Sequence, residues 1–117
     1  MALLATEFSV IGTVTDGEQL VEAEAALQPD VLVVDISMPR LSGLEATLRI
    51  RSRGSRVPVV CLTAHTTDDV LEAAWDAGAV GYVAKASLAH DLIPAIRAAL
   101  EGRRFVSMSI TMPSPSH

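Results

Sequence analysis

The chain has 117 residues, nine Lys and Arg against fourteen Asp and Glu for a net charge of −5, and is half hydrophobic with only 3% aromatic residues. That length suits one domain burying roughly two thirds of its unfolded surface in a core of Val, Leu, Ile and Ala. The acidic balance argues against direct contact with nucleic acid, which needs a basic face, and the single cysteine, Cys61, excludes an internal disulfide and a cysteine-based metal site.

Taken in chain order, Phe8 to Val14 reads as a strand, and the turn Thr15-Asp16-Gly17 follows. Asp16 and Gln19 form a capping box for a helix with Leu20, Ala23 and Leu27 at helical spacing, stopped by Pro29. Val31 to Asp35 is a continuous apolar strand ending in an acid, the kind found inside a parallel sheet. Ser42-Gly43-Leu44-Glu45 opens a second helix expected to turn Leu44 and Leu48 inward, fraying near Gly54. Val57 to Leu62 is another buried strand, in which Cys61 is expected as a small buried hydrophobe. Thr66 or Thr67 caps a helix through Val70, Ala74 and Ala77, closed by Gly78. Val80 to Ala84 is a short last strand, and Ser87 caps a final helix with Leu88, Leu92, Ile96 and Leu100 on one side. Pro94 interrupts that helix and removes the hydrogen bond to the His90 carbonyl. Ser107 to His117 is Ser/Pro-rich and aperiodic, so residues 1–106 are expected to form the domain and 107–117 a tail or linker. No apolar run approaches the ~18 residues of a membrane span, and no signal-peptide pattern is visible. The cytoplasm is the expected compartment, with no membrane partner.

Strands alternating with helices imply an α/β fold with a parallel sheet covered on both faces. Ligands of such sheets bind just beyond the C-terminal strand ends. Those ends carry Asp35, then Thr63 with Ala64, then Lys85: an acid, a hydroxyl and a cation at one edge. A carboxylate on a rigid strand can act as a nucleophile toward phosphorus, and the charge it acquires suits an ammonium and a hydroxyl donor.

Three pieces carry a family resemblance: Asp35-Ile-Ser-Met-Pro-Arg-Leu-Ser-Gly43, Val59-Val60-Cys61-Leu62-Thr63-Ala64, and Ala77-Gly78-Ala79-Val80-Gly81-Tyr82-Val83-Ala84-Lys85. From about Phe8 to Val106 the chain resembles the receiver domain of two-component response regulators. Ala86-Ser87 after Lys85, and Arg103 to Ser107 after the last helix, resemble the subfamily whose receivers precede a helix-turn-helix DNA-binding domain. The resemblance implies that Asp35 accepts a phosphoryl group from a histidine kinase, with Lys85 pairing with it and Thr63 hydrogen-bonding it. Tyr82 matches the family's aromatic switch. Met38, Pro39 and Gly43 shape the site loop, and the backbone carbonyl of Ser37 joins Asp35 as a magnesium ligand.

The family pattern also begins with a strand that ends in two acids, then a helix. This chain shows neither strand nor acids, and Met1 to Thr6 look like the end of that first helix. The resemblance therefore implies a flavodoxin-like doubly wound parallel sheet, N-terminally truncated to four strands and rearranged or swapped between chains. Magnesium is expected to bind weakly or not at all, with Asp16 as the one substitute acid in reach. A homodimer that covers the gap is expected, along with a histidine kinase as partner.

Two alternatives compete with a phosphorylated switch controlling transcription through a separate DNA-binding domain. One is a pseudo-receiver working only through protein contacts or dimerisation. The other is an aspartyl-phosphate phosphatase, which needs an acid two residues after the nucleophile where this chain has Ser37. No enzymatic activity is therefore expected. His65 beside the site reads as a solvated loop residue, and Trp75 as either partner surface or partial core.

Overall fold

Four nearly unbroken aliphatic residues, Val31 to Val34, are all fully buried and form the middle of the sheet. The structure is a computed structural model that describes residues 2–5, 10–36, 42–64, 68–108 and 110. Its elements are β1 (Ala2–Ala5), β2 (Val10–Val14), α1 (Gly17–Leu27), β3 (Val31–Asp35), α2 (Gly43–Ser52), β4 (Val59–Thr63), α3 (Asp68–Asp76), β5 (Gly81–Ala84), a 3-10 turn (Lys85–Ser87), α4 (Leu88–Leu100) and β6 (Phe105–Val106). The strand order is β2-β1-β3-β4-β5-β6.

The expected α/β class holds. Residues of α1, α2 and α3 pack on one face of the sheet through Leu20, Val21, Ala46, Ile50 and Ala74. The other face meets α4 through Ala95 and Ala99, with Leu88, Leu92, Ile96 and Leu100 partly buried beside them. Strands β3 to β6 run parallel, as βαβ connections require.

The N-terminus departs from expectation. Residues Ala2–Ala5, read in sequence as the end of a helix, are a strand paired with β2 on one side and β3 on the other. Together with β6 this makes six strands rather than four. β1 runs antiparallel to both neighbours, and chain length explains why. Only four residues separate Ala5 from Val10, enough for a hairpin, whereas a parallel return needs a crossover of a dozen or more. Ala2 and Leu4 are buried, so the gap beside β3 is filled by the chain's own residues and needs no second copy to cover it. β2 lies on the far side of β1, at the edge of the sheet.

Helix phase differs in two places. Leu27 and Leu48 are 45% and 53% exposed, not inward. In α1 the buried stripe is Gly17, Leu20, Val21 and Glu24, and in α2 it is Gly43, Ala46, Thr47 and Ile50. Leu20 and Leu44 do face the core, so each helix turns only its later leucine outward. Glu24 tolerates burial because Ser55 Oγ donates to its carboxylate at 3.0 Å. Arg51 bridges the same end of the sheet, donating to the carbonyls of Val57 (2.7 Å) and Gly78 (3.4 Å). Burial lowers its guanidinium pKa from the ordinary range, and Glu24 partly offsets that.

The caps behave as read at two helices of three. Asp16 Oδ1 accepts from the Gln19 amide at 2.9 Å, and Ser42 Oγ from the Glu45 amide at 3.2 Å. Ser87 makes no side-chain cap bond, because the 3-10 turn Lys85–Ser87 feeds directly into α4. Pro94 lies exposed inside α4, which continues to Leu100. Thr66 and Thr67 lie outside the described residues. Past Val106 the chain stays on the sheet. Ser107 is 1% exposed and Ile110 joins the core, so packing continues beyond the expected boundary, while residues 111–117 lie outside the described residues.

Candidate functional site

Parallel register sets the site. Asp35 is level with Leu62, Leu62 with Val83, and Thr63 with Ala84, so Asp35, Thr63 and Lys85 all leave the same edge of the sheet. Lys85 Nζ lies 2.6 Å from Asp35 Oδ2, in an ion pair whose side chains are 38% and 17% exposed. Thr63 is buried, whereas Ala64 beyond it is exposed. The acid and the cation expected at this edge are therefore in direct contact, and the hydroxyl-bearing residue ends the strand between them.

Gly43 is required by close approach. A Cβ built there would meet Val34 Cγ1 at 2.5 Å and the Asp35 carbonyl oxygen at 2.7 Å. The N-terminus of α2 is thus pressed onto the backbone of the acid-bearing strand, as a loop-shaping role at Gly43 implies. Ser37, Met38, Pro39 and His65 lie outside the described residues.

Tyr82 is fully buried, and its hydroxyl donates to the Ala79 carbonyl at 2.8 Å. Burial pushes its phenol well above the usual range, with further upward pressure from Cys61 and Asp76 and a lowering by Arg104. Nearby, the Arg104 guanidinium stacks 3.7 Å from the centroid of half-buried Trp75. Trp75 is thus part core, part surface. Cys61 is buried as expected, and desolvation pushes its thiol up to about 12, so it stays a neutral hydrophobe at physiological pH.

Among the described residues the donor set fits magnesium poorly. The strand beside Asp35 carries Ala2-Leu3-Leu4-Ala5, and its reversed direction brings Ala2 level with Val34 and Val14. Asp16 lies two residues past Val14, two strands from Asp35, and its carboxylate caps α1. Among the described residues no group of three or more His, Cys, Asp or Glu side chains could hold a metal. A cation normally held by one or two carboxylates plus water would find Asp35 already paired with Lys85.

Sequence reasoning missed one polar cluster at this end of the sheet. Ser107, assigned to the tail, accepts from the Ala84 amide at 3.1 Å and donates to Asp91 at 2.7 Å. Its one signal was its place directly after Phe105-Val106, a short apolar pair that forms β6.

A sequence profile of the response regulator receiver domain matches residues 2–97. The transcriptional regulatory protein PdtaR of Mycobacterium tuberculosis is 37% identical over 100 residues, 86% of this chain and 48% of that protein. The response regulator UvrY of Escherichia coli is 35% identical over 101 residues, 86% of this chain and 46% of that protein. A two-component response regulator of the LuxR family from Aurantimonas superposes with a TM-score of 0.82 at 33% identity, covering 87% of this chain and 73% of that one. The chain spans about half the length of the curated relatives it matches. With the acid, hydroxyl and cation at one sheet edge and this profile across most of its length, the chain belongs to the response regulator receiver domain family.

Proposed function

We propose that this chain is the receiver module of a two-component response regulator, in which Asp35 accepts a phosphoryl group from a histidine kinase. The observation that carries the reading is the 2.6 Å contact between Lys85 Nζ and Asp35 Oδ2 at the C-terminal edge of the sheet. An Asp35 oxygen forms the new P–O bond as the donor's P–N bond breaks and its imidazole leaves with the electron pair. The product carries about two negative charges on its phosphoryl group where the free carboxylate carried one, and Lys85 shifts from carboxylate to phosphoryl oxygen. Thr63, at the end of β4, supplies a hydroxyl to the same group. Output would pass to a DNA-binding domain, as the names of the relatives as transcriptional regulators suggest. The module would work in the cytoplasm, and no helix among the described residues is long and apolar enough to cross a membrane. The open edge of β2 supports a homodimer as its assembly.

A second reading, a pseudo-receiver acting through protein contacts alone, is favoured by one fact: β1 brings no acid to the site. Incubation with acetyl phosphate, with and without magnesium, followed by intact mass separates the two. A phosphoryl adduct lost in Asp35→Ala supports the first reading; no adduct in the wild type supports the second. The poor metal fit leads us to expect slow uptake with little magnesium dependence.

A further inference from the structure

The turn that carries Lys85 is short and half exposed, yet it holds its ammonium against Asp35. What fixes it lies more than twenty residues further along the chain. β6 pairs with β5 only at Gly81↔Phe105 and Tyr82↔Val106. The Ser107 amide extends that ladder by donating to the Tyr82 carbonyl at 2.9 Å. The next ladder group on β5, the Ala84 amide, is buried and has no β6 carbonyl opposite it. The Ser107 hydroxyl takes that place, accepting from Ala84 at 3.1 Å. Its own proton goes to Asp91 Oδ2 at 2.7 Å, in the first turn of α4.

One hydroxyl therefore binds residue 84, just before Lys85, and residue 91, just after the turn that contains it. Both ends of the Lys85 segment are tied to a single buried atom, and Ser107 itself is 1% exposed. Its carbonyl accepts from the Ile110 amide at 3.0 Å, and Ile110 is in the core, so the tie is anchored from the far side as well. A buried donor without its acceptor is costly, so the Ala84 amide would seek a new partner if the hydroxyl were lost, and the turn would move with it.

We propose that Ser107 is the positioning residue for Lys85, setting the reach of its ammonium to the Asp35 site. The proposal rests on the phosphoacceptor reading only for its functional consequence; the geometric part stands alone. Lys85 is the only lysine in the chain, so selective 13Cε/15Nζ-lysine labelling yields one side-chain signal. In the otherwise native protein, Asp35→Asn should shift that signal. In Ser107→Ala the shift caused by Asp35→Asn should shrink markedly, and Ser107→Thr, which keeps the hydroxyl, should restore it. Acetyl phosphate uptake at Asp35 should fall about tenfold or more in Ser107→Ala, because misplacing a group by ~1 Å can cost ~10²-fold. Loss of overall stability alone would not produce this Lys85–Asp35 coupling pattern with rescue by threonine. If Ser107→Ala does not fold, Asp91→Ala carries the same expectation from a different element. An Asp35-dependent Lys85 shift that stays at its wild-type size in the folded variant overturns the proposal, whatever the phosphorylation result. Absent uptake in the wild type overturns the phosphoacceptor reading instead and leaves the coupling to decide on Ser107.

Discussion

Replacing Gly43 by alanine pits helix propensity against packing, and the geometry says packing wins. Carbon–carbon contacts are comfortable at about 3.5–4.0 Å. The added Cβ would sit 2.5 Å from Val34 Cγ1 and 2.7 Å from the Asp35 carbonyl oxygen. Neither neighbour can yield cheaply, since Val34 is fully buried and the oxygen belongs to the backbone of a central strand. The start of α2 must therefore back away by about 1 Å, and overpacking of this kind costs about 1–3 kcal/mol. Alanine returns at most ~1 kcal/mol of helix propensity over glycine. The net loss should be about 1–2 kcal/mol, a fall in Tm of roughly 4–8 °C for a domain of this size. Gly12→Ala is the control: its Cβ meets Leu27 Cδ1 at 3.0 Å, the end of a half-exposed side chain that can rotate away, and Leu4 Cδ1 at an ordinary 3.9 Å. That variant should stay within about 0.5 kcal/mol of wild type. Thermal unfolding followed by far-UV circular dichroism reads both. A Gly43→Ala protein at or above the wild-type Tm would refute the close approach of α2 to the Asp35 strand.

Three further outcomes are expected. Leu4→Ala, in the inserted strand, should cost about 2–5 kcal/mol because Leu4 is fully buried, while Leu48→Ala should change stability by less than about 0.5 kcal/mol; equal effects in chemical denaturation would argue that β1 is not part of the sheet. Arg104→Ala should cost about 0.5–1 kcal/mol and shift the emission of Trp75, the only tryptophan; unchanged fluorescence would dispose of the stacking contact. The Cys61 thiol titrates near 9.0 when free and is pushed up to about 12 by burial. Its contribution is therefore intact below about pH 9 and declines as pH rises toward 12, by about 1.4 kcal/mol per unit. Denaturation midpoints between pH 8 and 11 should fall less steeply in Cys61→Ala than in the wild type, and parallel curves would contradict the assignment.

Much of the site was legible because strand ends are legible. A four-residue aliphatic run ending in Asp35, another ending at Thr63, and a third leading to Lys85 each declare a buried strand and its exit, and a parallel sheet must bring those exits to one edge. The inserted strand was not legible. Ala2-Leu3-Leu4-Ala5 is too short for periodicity to separate helix from strand, and its helical reading leaned on where the family pattern placed a helix. Leu27 and Leu48 sit at helical spacing, but the phase of a helix against a sheet depends on what it meets. Glu24 could turn inward only because Ser55 was there to donate to it.

From local pattern alone come the types of the four helices and of β2 to β5, and the caps at Asp16 and Ser42, since each depends on residues within a few positions of one another; the parallel sheet those elements imply brings the exits at Asp35, Thr63 and Lys85 to one edge. Tertiary structure alone decided which strand lies beside Asp35, and in which direction. That choice depended on a four-residue connection meeting an open position in the sheet, and it placed alanine where a metal-binding acid was sought. Tertiary structure also took Ser107 out of an apparent tail and set it beneath the lysine turn. A hydroxyl finds a distant amide and carboxylate only once the sheet and α4 have brought them together.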